Sequence, residues 1–425
     1  LKAKRKIPKP EAWMLKVFWN LFSFFYDSVR DLWPYKELMR KVADDLILDS
    51  RSAIALLDVG CGTGNLLLEI KSRNRLWNFW GIDRSLSMLR RAERKVGKGE
   101  FLLGDINNTL PILDNSLDAI TLVNVLYSVS LPSGLIDECH RVLKFDGILI
   151  VANPRRNAKI SSIILAHVRA AGDKGLRWLY LCRALAANSR FVFLTGMNLV
   201  VKFMNRRRKF HFMDGSELKD ELIRGGFQLV KLELAYADTD VLAVARKTVF
   251  FDSELGKIQA LVAHTQADIG EIHGLRYEVY CLEMGSLNLE NYPGKQEWDD
   301  YDPYSIIIMI KLGVEIIGTL RLVKDSRLGF VMEDGFTIPS SVDRSGILEH
   351  SRGIIKKNYR DNGLYKFIWL AAKEWQKPRG YNICIGAAGV GKFSKILENL
   401  GWEYTGEAPK IYHNTLSVPM IYILK

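Results

Sequence analysis

The 425 residues predict an α/β chain in two parts: a doubly wound, mainly parallel sheet over residues 35–247, and a smaller α+β domain over residues 250–425. Three observations predict this. Short apolar runs alternate with helical stretches over residues 50–152, the pattern of a sheet covered on both faces. A glycine-rich turn, Asp58-Val59-Gly60-Cys61-Gly62-Thr63-Gly64, follows the first of those runs. Beyond residue 250 the spacing changes, and charged residues recur at fixed intervals between apolar strands. The length agrees, since a domain holds roughly 150 residues.

In chain order, strands are predicted at Ile54–Val59, Trp77–Ile82, Glu100–Leu103, Leu117–Asn124 and Gly147–Ala152. Helical patterns lie between them at Leu66–Lys71, Ser85–Lys95 and Ser133–Leu143. After Asn153-Pro154 the alternation breaks. Residues 155–209 are apolar and basic and read as a helical insertion over the sheet, ending in Arg206-Arg207-Arg208-Lys209. Asp214-Gly215-Ser216-Glu217 opens a helix, with the Asp or the Ser as its cap. Gly225-Gly226 ends it, and strands follow at Phe227–Leu234 and Val241–Arg246.

The second part begins near Phe250. Ser253–Gly274 reads as helical and leads into Arg276. Strands are expected at Ser305–Leu312, Val314–Val323 and Asn382–Ile385, and helices at Leu364–Gln376 and Phe393–Leu400. There is no internal repeat and no long Pro/Gly linker between the parts.

Hydrophobic residues make up 48% of the chain and the mean hydropathy is −0.02, as in ordinary globular cores. The net charge of +12 is unevenly placed. Residues 1–250 hold about 40 Lys/Arg against about 26 Asp/Glu, and the remainder is slightly acidic. A basic half suits an anionic partner, such as lipid headgroups, an acidic carrier protein or nucleic acid; a plain solvated basic surface is the other reading. The five cysteines are scattered without a C-x-x-C pair, so neither a zinc site nor a disulfide framework is expected. Reduced thiols suit a cytoplasmic protein.

No apolar run is long enough to span a bilayer. Residues 1–34 form a basic, aromatic arm: Lys2, Lys4, Arg5, Lys6 and Lys9 precede Trp13, Phe18, Trp19, Phe22, Phe24 and Phe25. This arm reads as a helix lying in a membrane interface or as a cap on the first core, and the cap is the simpler of the two. The chain begins at Leu1 and not at Met, so residues are expected ahead of it.

The glycines of the first turn permit tight backbone geometry and let a ligand approach the main chain. Two further acids follow in order. Asp83 ends the second strand, where a carboxylate can accept both hydroxyls of a ribose. Asp105 follows the third, where an adenine amine can sit. On these residues, residues 35–247 resemble the class I S-adenosylmethionine-dependent methyltransferases of small molecules, with their Rossmann-like sheet. The resemblance implies cofactor contacts at Asp58, Gly60, Cys61, Gly62, Gly64, Asp83, Arg84, Asp105, Ile106 and Asn124. Catalysis in that family rests mainly on aligning acceptor and methyl group and needs no metal. Asn124-Val125-Leu126-Tyr127 stands where nucleic-acid amino-methyltransferases carry a Pro-Pro pair, which argues against nucleic acid as a partner. Tyr26, Tyr127 and His140 are candidates for the acceptor face, and a solvated helix position is the simpler reading of His140.

The second set is Arg276-x3-Tyr280, Glu297-x-Asp299-x2-Asp302, Gly318-x2-Arg321 and Glu349-x2-Arg352. An arginine inside an apolar strand, as at Arg321, is costly unless paired. The set resembles the acyl-homoserine lactone synthases and the related N-acyl amino acid synthases, both of the Gcn5-related N-acyltransferase (GNAT) fold. Arg276–Tyr280 and Asn291-Tyr292-Pro293 are closer to the amino acid branch. The indole expected in the lactone branch is not clearly matched, because Trp298 lies inside the acidic run. The resemblance implies acyl transfer from an acyl carrier protein or coenzyme A thioester to an amine. Glu349 would help deprotonate that amine, staying ionised among arginines. Arg352, Arg321, Asp299 and Asp302 would hold the site, and Arg276 would steer the acceptor or the carrier.

Gly386-Ala-Ala-Gly-Val-Gly391-Lys392 imitates a phosphate-binding loop, but Phe393 stands where Ser or Thr would hold magnesium. It is expected to be a strand-to-helix turn. Arg360-Asp361-Asn362-Gly363 reads equally as a phosphate-binding turn for a thioester cofactor and as a helix cap. Together the two signatures imply two transfers on one product, a methylated N-acyl amino acid or related lipid. The alternatives are a lactone-type signal synthase, or one active transferase with the other domain as a regulatory binding module.

Overall fold

The computed structural model describes residues 26–47, 54–73, 77–97, 99–170, 210–340 and 342–424. The chain divides into two compact units: Leu1–Leu143 with Gly147–Lys247, and Lys144–Asp146 with Thr248–Lys425. Most of the basic arm and residues 171–209 of the expected insertion lie outside the described residues. Among the described residues, no helix is long and apolar enough to cross a membrane.

In the first unit the strands are β1 Ala55–Val59, β2 Asn78–Asp83, β3 Glu100–Leu103, β4 Leu117–Val123, β5 Leu143–Pro154, β6 Phe227–Ala235 and β7 Asp240–Lys247. They form one sheet in the order β3-β2-β1-β4-β5-β7-β6. β1 to β5 run parallel, and β7 is antiparallel to both β5 and β6. This is the doubly wound sheet expected from strand–helix alternation. The helices are α1 Trp33–Ile47, α2 Asn65–Arg73, α3 Leu86–Val96, α4 Pro132–Val142, α5 Ile160–Ala170 and α6 Gly215–Arg224.

Two apolar cores result, one per sheet face. Leu38, Val42, Leu67 and Ile70 from α1 and α2 meet Leu56, Ile150 and Leu242 on one side. Leu135, Ile136 and Leu222 from α4 and α6 meet Leu57, Val151 and Val241 on the other. Because side chains alternate along a strand, β1 feeds Leu56 to one core and Leu57 to the other. Local signals place the helix ends. Ser85 Oγ accepts from Met88 N (3.4 Å) at the start of α3, and Glu217 Oε2 accepts from Asp214 N (3.0 Å) ahead of α6.

In the second unit the strands are β8 Val249–Ser253, β9 Gly256–Val262, β10 Ser305–Leu312, β11 Glu315–Lys324, β12 Ile347–Ile355, β13 Ile383–Gly389, β14 Glu403–Tyr404, β15 Lys410–Tyr412 and β16 Thr415–Ile423. The sheet order is β14-β16-β13-β12-β11-β10-β9-β8, with β15 on β16. Among the described residues of this unit, only β12 and β13 pair parallel. The helices are α7 Gln266–Arg276, α8 Tyr365–Gln376 and α9 Lys392–Asn399.

The expected helix over Ser253–Gly274 is corrected: that stretch is a β8–β9 hairpin followed by α7. Alternation at Ile258, Ala260 and Val262 buries one strand face, and β9 pairs with both β8 and β10. Thr265 Oγ1 accepts from Asp268 N (3.0 Å) and starts α7. Strand β12 was not foreseen, although it carries Glu349 and Arg352.

Candidate active sites

In the first unit β1 delivers Asp58 to the glycine turn. Asp58 is buried, and its Oδ1 accepts from Thr121 Oγ1 (2.8 Å) on the neighbouring β4. Burial pushes its carboxyl up to about 7. The turn crosses to β2: the N–H groups of Gly60 and Cys61 donate to Ile82 O at 2.7 and 3.1 Å. Gly62 N donates to Asp83 Oδ2 (3.0 Å), and Ser85 N to Asp83 Oδ1 (2.8 Å). Asp83 therefore braces the glycine turn as well as facing it. Its carboxyl is raised by burial, while Arg84 and the two N–H groups oppose the rise.

Gly60 has φ 70°, and a Cβ there would lie 2.3 Å from Val125 Cγ2, so both backbone and space require glycine. Gly64 has φ 74° and abuts Val96 and Ala92 of α3. Cys61 turns its sulfur toward Gly81, where an added Cβ would meet it at 2.7 Å. Its thiol also donates to Gly62 O within the turn (3.9 Å).

Ile106 is buried and Asp105 is exposed, with Asp105 Oδ1 accepting from Asn107 N (3.1 Å) and Nδ2 (2.8 Å). Asn124 follows β4 at φ 56°. Asp58, Asp83, Asp105 and Asn124 thus all follow or end strands at the same edge of the sheet. His140 is not among them; it packs edge-on against Phe227 (5.4 Å), and its ring atoms fill the space beside Gly226.

Residues with no motif also gather at this turn. Lys95 Nζ donates to Asp27 Oδ1 (2.6 Å), Thr63 Oγ1 (2.9 Å) and Asn65 Oδ1 (2.5 Å), while Asn65 Nδ2 donates to Tyr35 Oη (3.1 Å). The sequence offers no signal for this cluster, because its partners lie 30 to 68 residues apart.

In the second unit the spaced charges do meet. Arg276 Nη1 donates to Asp302 Oδ1 (2.7 Å), and Arg321 Nη1 bonds Asp299 Oδ1 and approaches Asp302 Oδ1 (3.3 Å). Arg352 donates to Glu297 Oε1 through Nε (3.0 Å) and Nη2 (2.8 Å), and to Asp299 Oδ2 (3.1 Å). Arg276, Glu297 and Arg321 are 0% exposed. The arginines beside Asp302 hold its carboxyl down at about 2, against the effect of burial.

A bulge builds this cluster. β11 and β12 pair at Thr319↔Ile354 and Arg321↔Ser351, so two residues of β12 stand opposite Leu320. Arg352 lies in the bulge with φ 52°. Plain alternation would send it to the face opposite Ser351, which bonds Arg321 Nε (3.0 Å). The bulge turns it back to Glu297 and Asp299. Its guanidinium also lies 5.4 Å from the centre of the Tyr280 ring.

Glu349 stands apart from the ion pairs. It is 2% exposed, its Oε1 accepts from Met332 N (3.1 Å), and its Oε2 has no hydrogen-bond partner. Burial outweighs the attraction of Arg321 and pushes its carboxyl up to about 8. Arg321 and Arg352 favour its ionised form, as expected, but burial acts against them. Glu349↔Ile385 is also the last parallel pair of β12 and β13, after which the two strands part.

A cavity of about 580 Å³ opens in that gap. Glu349, His350, Arg352 and Ile354 line one side, with Gly386, Ala387 and Trp402 opposite, and Tyr412 and His413 join from the β15–β16 turn. Arg276, Arg321, Asp299 and Asp302 do not line it. Arg276, expected to steer a substrate, instead forms part of the buried frame. Arg360, Asp361, Gly363 and Lys392 edge the cavity, and Lys392 pairs with Asp361. Gly386–Lys392 is the end of β13 and the turn into α9.

Residues 57–151 match the family model of a methyltransferase domain, and residues 275–370 match that of an acetyltransferase (GNAT) domain. The chain is 37% identical over 112 residues to a demethylmenaquinone methyltransferase of Thermotoga maritima, covering 26% of this chain and 48% of that protein. It is 27% identical over 150 residues to a trans-aconitate 2-methyltransferase of Enterobacter, covering 35% and 56%. The chain thus spans about half the length of these curated relatives. Among solved structures, a magnesium protoporphyrin IX methyltransferase from Synechocystis with bound SAH covers 56% of this chain and 99% of its own, at 13% identity and a TM-score of 0.39. The [4+2]-cyclase SpnF covers 55% and 94%, at 20% identity and a TM-score of 0.38. A methyltransferase domain of α/β fold and a GNAT acyltransferase domain are thus joined in one chain.

Proposed function

We propose that the chain is a bifunctional transferase. Its first unit moves a methyl group from S-adenosylmethionine, and its second moves a fatty acyl group from a thioester to an amine. The product would be a methylated N-acyl amino acid or related lipid. One observation carries the reading: Glu349, a buried carboxyl with Oε2 lacking a hydrogen-bond partner, is among the residues lining a cavity of about 580 Å³ that opens where β12 and β13 part.

The cavity's lining is mainly apolar, which suits an acyl chain, and its edge carries the basic residues Arg360, Lys366 and Lys392. In the transfer, the amine nitrogen attacks the thioester carbonyl carbon. The N–C bond forms, the C–S bond breaks, and its electron pair leaves on sulfur, which is protonated to the thiol. Glu349 Oε2 takes the proton lost by the amine. A carboxyl that titrates near neutrality suits that exchange. The buried Arg352–Glu297–Asp299–Arg321 frame fixes β12 at its bulge and so fixes Glu349 three residues away.

The first unit's residues fit S-adenosylmethionine, which supplies an electrophilic methyl group when bound. Asp83 keeps lone pairs beyond those engaged by Gly62 N and Ser85 N. Gly62 has φ 54°, a left-handed conformation that favours glycine, and Tyr26 Cε1 lies 3.6 Å from where its Cβ would be.

The amine is an amino acid on the resemblance to the N-acyl amino acid branch, and the thioester belongs to an acyl carrier protein or coenzyme A. Trp298 is 58% exposed, which supports that branch over the lactone branch. The test is thiol release from acyl-carrier and acyl-coenzyme A thioesters against a panel of amino acids, with labelled S-adenosylmethionine in parallel. Consumption of no thioester with any amine removes the acyl-transfer half, and failure to bind S-adenosylmethionine removes the methyl half.

A further inference from the structure

The first unit holds a second buried carboxylate, at Asp240, that binding the cofactor does not use. Asp240 opens β7 and is 2% exposed. Its Oδ1 accepts from Thr239 Oγ1 (3.1 Å), while its Oδ2 is buried with no hydrogen-bond partner. Asn124 stands beside it, close enough for its amide to stabilise the carboxylate. The topology brings them together: Asn124 N donates to Ala152 O (2.9 Å) on β5, and β5 pairs Ala152 with Leu242 and Pro154 with Asp240. A buried acceptor left without a full hydrogen bond is destabilising, and Asp240 Oδ2 calls for a ligand that brings a donor.

Tyrosines surround them. Tyr127 and Tyr236 are near enough for the Asp240 charge to oppose their ionisation. Tyr35 packs edge-on to Tyr236 at 6.2 Å and 73°. Tyr26 neighbours Tyr35 and reaches the glycine turn at Gly62. A buried carboxylate with one oxygen lacking a hydrogen-bond partner selects a cation that carries N–H groups. A carboxylate-bearing acceptor would meet repulsion here instead.

We infer that this cluster receives the methyl acceptor of the first unit, that the acceptor is an amine held as its ammonium, and that Asp240 Oδ2 takes its proton. The inference rests on the methyl-transfer reading above. The ammonium passes one N–H proton to the Asp240 carboxylate. The freed nitrogen lone pair forms the N–CH3 bond as the donor's S–CH3 bond breaks, and that bond's electron pair stays on sulfur. Burial sets the Asp240 carboxyl at about 7, so it can both take and release a proton near neutrality.

The test uses the full chain saturated with S-adenosylhomocysteine and three probes of one size: propylammonium, propanol and propionate. Binding is measured by calorimetry or saturation-transfer NMR, which need no turnover. Propylammonium should bind at least tenfold more tightly than propanol, with propionate weakest. Asp240→Asn should erase that preference while S-adenosylhomocysteine affinity stays within about twofold. Equal binding of the three probes, binding of none, or an ammonium preference that survives in folded Asp240→Asn overturns the inference. The wild-type ranking decides the matter even where the variant does not fold. Loss of S-adenosylhomocysteine binding in the wild type would instead overturn the methyl-transfer reading itself.

Discussion

Arg352 grips Glu297 Oε1 with two nitrogens, Nε at 3.0 Å and Nη2 at 2.8 Å, although 55 residues separate the two. The carboxylate is 0% exposed and also faces Arg276, 3.8 Å away. Removing one member of such a buried set leaves charges uncompensated.

Glu297→Gln should therefore destabilise the second unit by about 3–5 kcal/mol, the usual cost of breaking a buried pair. Calorimetric unfolding checks this: the transition of the second unit should fall and that of the first should not. A change below about 1 kcal/mol would show that the frame tolerates a neutral residue.

The acyl-transfer rate should rise with pH to a plateau above about 8, because Glu349 must be ionised to accept a proton and burial places its carboxyl there. Glu349→Gln should remove that limb and lower the rate by about 10²–10⁴-fold. The stability effect has the opposite slope. Glu349 binds its proton more tightly folded than unfolded, so its contribution is full below the ordinary 4.5 and is lost as pH rises through about 8. Melting curves of wild type and Glu349→Gln should diverge between those values, with the variant losing less stability.

Asp83→Ala should weaken S-adenosylmethionine binding by about 1–3 kcal/mol, the scale of hydrogen bonds to a charged group. It also releases Gly62 N and Ser85 N, so faster exchange of those two amides should accompany the loss. Unchanged affinity by calorimetry would take Asp83 out of the site.

Gly60→Ala should abolish cofactor binding and lower the melting temperature of the first unit. Its Cβ would overlap Val125 Cγ2, and its φ of 70° strains any side chain by about 1–3 kcal/mol. Adding Val125→Ala should relieve the overlap but not the backbone strain, restoring part of the stability. Full recovery in the double variant would show that φ at this position costs nothing.

Much of this chain was decided locally and is legible in its order of residues. The doubly wound sheet follows from apolar runs at strand spacing separated by helical patterns. The glycine turn at Gly60–Gly64 follows from backbone geometry that only glycine adopts cheaply, and the Asp214 cap from short-range hydrogen bonding. The ordering of Asp58, Asp83 and Asp105 at successive strand ends is likewise a one-dimensional fact, and parallel strands place successive ends on one edge.

What needed the tertiary structure was whatever depends on pairing across long separations. The β8–β9 hairpin read as helix until its pairing with β10 favoured the strand. The bulge at Arg352 depends on how β12 meets β11, so plain alternation points that arginine the wrong way. The ionisation of Glu349 depends on its burial against the pull of Arg321 and Arg352, which the sequence does not show. Asp240 and Asn124, more than a hundred residues apart, become one feature only because β5 lies between their strands. Sequence spacing records which groups a chain owns; burial and register decide which of them meet, and in which charge state.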